Sequence, residues 1–172
     1  MANNYLQFSE SLPIQDDREE AWLRHQLADV LLTKSNTIFE EAEEDQIALE
    51  ESFEVMPRFL AELPADVRED DSSLGFCWSI VSSPGAARGL WIYSEEAGNA
   101  NHAALLIQKF LQHFDPAGWW TLTWGATCDQ PRCGEFSGGA ILVTASEIHG
   151  MDADRWIQEQ ANSLALTFEE RR

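Results

Sequence analysis

What most restricts the fold of this chain is a change of apolar period that occurs twice. GFCWSIVSS and GLWIYSEE, within residues 75–96, are short runs rich in aromatic and β-branched residues, split by PGAARG. Such runs around a Pro/Gly turn predict a hairpin. After Gly98-Asn99 the spacing lengthens, and Ala103, Leu106, Ile107, Phe110, Leu111 and Phe114 recur at three- and four-residue intervals. That is the stripe of an amphipathic helix, started by Asn99 or Asn101 and stopped by Asp115-Pro116. The order then returns. GWWTLTWGAT and AILVTASE predict strands around a long turn. MDADRWIQEQANSLALTF predicts a helix capped by Asp152, with Trp156, Ile157, Gln160 and Leu164 on one stripe.

Residues 75–114 and 118–168 therefore both read strand–turn–strand–helix, which suggests a duplicated strand-strand-helix unit. Residues 5–12, YLQFSESL, add an N-terminal strand ended by Pro13. Asp16 or Asp17 caps a following helix that places Trp22, Leu23, Leu27, Val30 and Leu31 together. The expected class is α+β. An antiparallel sheet forms from the N-terminal strand and two hairpins, with helices packed on one face. A length of 172 residues fits a single domain spanning 1–172.

Charge divides the chain. Residues 1–71 carry 19 acids and 5 bases, a net of −14, whereas residues 72–172 contribute only −5 of the total of −19. A field of this sign repels nucleic acid and anionic membranes and attracts basic protein surfaces. No apolar run approaches the ~20 residues of a membrane span. The N-terminus MANNYLQFSE lacks the basic and apolar regions of a signal peptide, so the expected compartment is the cytoplasm.

The acids concentrate in FEEAEEDQIALEESFE, residues 39–54. Glu40, Glu41, Glu43, Glu44, Asp45, Glu50, Glu51 and Glu54 form a candidate acidic surface with no base among them. Helix propensity favours a helix over Ile38–Phe53, and a pair of edge strands with IALE in the second is the alternative. As a helix, this stretch would span about 24 Å, over which a DNA duplex carries ~14 charges. The eight carboxylates alone mimic DNA poorly and would need help from neighbouring acids. A solvated acidic face is the plain alternative.

TCDQPRCGEFSGG, residues 127–139, is the second candidate. Between its flanking strands it leaves about twelve residues, against ~2–5 in most hairpins. Arg132 and Phe136 are residue types that anchor interfaces, and Glu135 lies between them. The plain alternative is an internal Arg132–Glu135 pair, with Phe136 on the core and the glycines in a bulge. Cys128 and Cys133 have a spacing compatible with two zinc ligands, but a closed site needs four and no second pair exists. A thiolate beside Arg132 or a reversible disulfide are further readings. Cys77, inside FCWSIV, is expected to be a buried small hydrophobe.

Over residues 90–165 the chain resembles a group of small acidic bacterial and mobile-element proteins of unknown function. They share a TC-x-x-PR-x-GEF-x-GG-like loop, matched here by Thr127, Cys128, Pro131, Arg132, Gly134, Glu135, Phe136, Gly138 and Gly139. The resemblance implies an α+β fold and no reaction, ligand or catalytic residue.

No phosphate loop, GxSxG, HExxH or dinucleotide fingerprint occurs. The leading expectation is a non-enzymatic interaction module without cofactor or metal. It would bind a basic protein surface, such as that of a nucleic-acid-binding protein, and act as an inhibitor or nucleic-acid decoy. The alternative is a small-ligand binder or hydrolase. It would use the 127–139 loop and the strand-end carboxylates Glu95, Glu96 and Glu147, converging near Arg88 or Arg132.

Overall fold

The computed structural model describes residues 4–35, 51–64, 67, 73–82, 88–130 and 133–164, with 31–35 and 51–54 described as backbone only. In chain order the elements are β1 (Asn4–Pro13), α1 (Asp17–Leu27), β2 (Asp29–Ser35), β3 (Glu51–Pro57), α2 (Arg58–Ala61), β4 (Cys77–Val81), β5 (Gly89–Ser94), α3 (Ala100–Phe114), β6 (Trp119–Cys128), β7 (Ser137–Thr144), β8 (Ile148–Asp152) and α4 (Ala153–Ser163). They fall into two compact units, Met1–Glu20 with Gly75–Arg172, and Ala21–Leu74.

The first unit is built on a six-stranded antiparallel sheet in the order β4-β5-β1-β6-β7-β8. The N-terminal strand is the seam between the two hairpins: β1 pairs with β5 through Phe8↔Ser94 and with β6 through Phe8↔Trp124. Period-two alternation sorts the side chains. Phe8, Leu12, Leu90, Ile92, Trp120, Leu122, Ile141 and Val143 point to one face and are buried. α3 packs across β6, β7 and β8, and α4 against β7 and β8. The stripe Ala103, Leu106, Ile107, Phe110 and Leu111 is buried as its spacing requires. Full burial of a Leu or Ile stabilises by about 1.5–3 kcal/mol, so this layer is the main stabilising element of the unit.

Local capping works as the sequence predicts. Asn99 accepts from the His102 amide at 3.0 Å, and Asp152 from the Asp154 and Arg155 amides at 3.0 Å each. Asp16 Oδ1 accepts from the Arg18 amide at 2.9 Å and the Glu19 amide at 3.0 Å. These bonds satisfy amides that the first turn of a helix otherwise leaves open.

The second unit contains most of α1, the β2–β3 hairpin and α2. Leu23, Leu27, Met56, Phe59 and Leu60 are buried. The Arg58 amide donates to the Ala28 carbonyl at 2.9 Å and holds α2 to the start of β2.

Several expectations need correction. The first helix stops at Leu27, and Val30 and Leu31 belong to β2, where they pair with Met56 and Val55. A helix through Phe53 is also wrong at its end, because Glu51–Pro57 is a strand. Residues 36–50, with IALE, lie outside the described residues. β8 is an additional strand, so the second half reads strand–strand–strand–helix. The α4 stripe faces solvent: Trp156, Ile157 and Leu164 are exposed and only Ala161 is buried. Cys77 is exposed, because its outward place on β4 outweighs the apolar run around it.

Candidate interaction surface

The β6–β7 connection is shorter than the sequence suggests. Thr127 and Cys128 extend β6, and Ser137, Gly138 and Gly139 begin β7, so the loop is residues 129–136. Two glycines of the 127–139 stretch have distinct tasks. Gly134 sits at φ +80°, a left-handed conformation that side chains resist. Gly139 pairs with Trp124, and a Cβ there would meet the Met151 carbonyl oxygen of β8 first and the Trp124 indole Cζ2 at 2.6 Å. Gly139 therefore leaves room both for the neighbouring β8 backbone and for the Trp124 ring across the strands.

Phe136 is 53% exposed and so stands off the core. Glu135 is half-buried, while Arg132 lies outside the described residues. Cys77, Cys128 and Cys133 are all free thiols, and Cys128 is buried with its Sγ 3.9 Å from Asp129 Oδ1. Among the described residues no group of three or more His, Cys, Asp or Glu is placed to hold a metal ion. Among them, too, no helix is long and apolar enough to cross a membrane.

The topology gathers acids at the loop's end of the sheet. Glu95 and Glu96 follow β5, Asp129 and Glu135 lie within the loop, and Asp152 and Asp154 lie where β8 enters α4. The Leu6 amide bonds the Glu96 carbonyl, which draws that connection along β1. Ser137 Oγ donates to Asp154 Oδ2 at 2.7 Å, which draws the start of α4 to the start of β7. Among the described residues at this end, Arg155 is the only Lys or Arg, and it pairs with Glu159 at 2.9 Å. Sequence reasoning missed this rim because its acids are far apart in the chain. Only the strand order brings them to one side.

Other cations are similarly engaged. Arg88 bridges Asp17 at 2.8 Å and Glu20 at 2.9 Å, and Arg18 pairs with Asp16 at 2.8 Å. The Arg18 hydrogen bond, aided by the Glu19 amide, holds the Asp16 carboxyl below the ordinary aspartate value. Asp17, followed by Glu20, raises the Arg88 guanidinium above its usual value.

The strand-end carboxylates do not converge. Glu95 and Glu96 lie at the loop end, whereas Glu147 lies between β7 and β8 at the opposite end, paired with His149 at 2.8 Å. Three strand spacings and about six residues of rise separate them, roughly 20–25 Å. Of the first acidic surface, Glu40, Glu41, Glu43, Glu44, Asp45 and Glu50 lie outside the described residues. Glu51 and Glu54 fall on β3, with Glu54 opposite Leu32 and Glu51 opposite Ser35.

No protein-family model, no curated protein and no solved structure matches this chain.

Proposed function

We propose that this chain is a non-enzymatic interaction module that presents carboxylates to a basic protein surface and acts as an inhibitor or nucleic-acid decoy. The observation that carries the reading is the acidic rim at the loop end of the six-stranded sheet, in a chain of net charge −19 whose described arginines largely pair internally. Phe136, exposed in the same loop, supplies an apolar anchor beside the charges.

Magnitudes set the kind of partner. From β5 to β8 the rim spans about 20 Å, over which a duplex carries ~12 charges, about twice what the rim offers. The rim suits a compact basic patch on a protein, and a decoy of full duplex density would also need Glu40–Glu54. Three free thiols suit the reducing cytoplasm. The hydrolase alternative loses its clearest constellation with the separation of Glu95 and Glu147.

A tagged pull-down at about 0.05 M and about 0.5 M salt tests the reading, because exposed charge pairs are screened over that range. The chain should capture a basic protein that is released by salt. A Glu95→Gln/Glu96→Gln/Glu135→Gln variant should lose most of it. Capture that resists salt and survives the variant would contradict the reading.

A further inference from the structure

On the face of the six-stranded sheet away from α3 the strands place no Asp, Glu, Lys or Arg, and the His149–Glu147 pair stands at its β8 edge. Six strands contribute only Glu10 and Asp152 as acids and no Lys or Arg, and both acids fall on the α3 side by register. The other side presents Trp91, Tyr93, Trp119, Leu142 and Met151 around a central strip of Ser and Thr. Trp119 is 70% exposed and Met151 51% exposed. In so acidic a protein, this is a broad surface where two copies can meet without opposing carboxylates.

We propose that this open face is the interface of a homodimer in which the two sheets pack face to face about a two-fold axis parallel to the strands. The registers support self-complementarity. Trp91 pairs with Ser11 and Thr121 with Leu142, and continuing the β1–β6 register sets Ser11 level with Thr121. One row of the face therefore reads Trp91, Ser11, Thr121, Leu142, and the next reads Tyr93, Ser9, Thr123, Ala140. A two-fold axis between β1 and β6 lays each large ring over a smaller aliphatic residue and each hydroxyl over a hydroxyl. Isologous interfaces require this kind of matching.

Ring geometry favours a protein occupant over a flat ligand. The Trp91 and Tyr93 rings stack on each other with centroids 4.1 Å apart, so each covers a face that a sugar or base would need. The Trp91 Nε1–H already donates to Ser9 Oγ at 2.9 Å, so burial does not strand that donor. Size is adequate as well. Six strands at ~4.8 Å spacing and ~20 Å of height give about 500–600 Å² per copy, just above the ~1,000 Å² total expected of a specific interface.

This dimer does not rest on the proposed function, and its response to salt has the opposite sign. Two copies with like net charge repel, so salt should strengthen the dimer while weakening a charge-driven partner. Sedimentation velocity of the full chain at about 0.05 M and about 0.5 M salt tests it. Wild type should dimerise more at high salt. Leu142→Lys and Met151→Lys should each raise the dissociation constant at least tenfold, equivalent to about 1.4 kcal/mol. Lysine also lowers the net negative charge, so weaker association of these variants cannot come from added repulsion. Both positions are exposed, and circular dichroism identifies which variants are folded. A wild type that stays monomeric at both salts overturns the proposal. Dimers that persist in a folded variant overturn it too and place the contact elsewhere.

Discussion

Trp124 lies across the backbone of Gly139, its partner on β7, and together with the Met151 carbonyl of β8 it leaves no room there for a Cβ. Such ring-over-glycine pairs pin strand register. Gly139→Ala should therefore destabilise the protein by about 1–3 kcal/mol, the usual cost of overpacking. Urea unfolding measures it. An unchanged midpoint would mean that neither the ring nor the β8 backbone is held against this glycine.

Gly134 gives a contrasting case, because nothing lies within 4 Å of a Cβ placed there, yet its φ is +80°. Gly134→Ala should cost about 1 kcal/mol through backbone conformation alone, and Gly134→Asn less, since Asn tolerates this region. Equal effects of the two substitutions in urea unfolding would contradict the conformational explanation.

Asp152 caps α4 through two amide bonds, while Trp156 and Ile157 of that helix remain exposed and only Ala161 is buried. With little burial to hold it, the helix depends on its cap. Asp152→Ala should cost about 1 kcal/mol and speed amide exchange in 153–163 more than in α3. Uniform acceleration across both helices would contradict local capping.

Asp16 gives the acid response a sign. Its folded carboxyl titrates below the ordinary aspartate value because of Arg18 and the Glu19 amide. The stabilisation is therefore present above the unfolded value of ~3.9 and is lost as pH falls through the lower folded value. Asp16→Asn should flatten the fall in stability below about pH 4. Superimposable pH curves for wild type and variant would remove Asp16 from the acid response.

The thiols should separate by access. Cys77 and Cys133 are exposed and Cys128 is buried, so brief alkylation of the monomeric chain should label the first two and spare the third. Mass spectrometry reads the sites. Fast labelling of Cys128 would contradict its burial.

Much of the fold was legible because its signals are local. Asn99, Asp152 and the spacing from Ala103 to Leu111 define helices without help from distant residues. The hairpins follow from β-forming runs around turns. What stayed hidden depends on pairing. Glu51–Pro57 alternates weakly, and glutamate propensity disguised it, but its partner Asp29–Ser35 makes it a strand. IHGMD contains a glycine and little β signal, and it becomes β8 by lying along β7. The acidic rim was illegible for a similar reason, since β1 sits between hairpins that are distant from it in sequence.

The most direct test of the central claim is the affinity for the captured basic partner across a salt series. The account predicts that affinity falls steeply as salt rises from about 0.05 M to about 0.5 M, and that neutralising Glu95, Glu96 and Glu135 flattens the slope. An affinity indifferent to salt, or a slope unchanged in the neutralised chain, would contradict an acidic docking surface on this sheet.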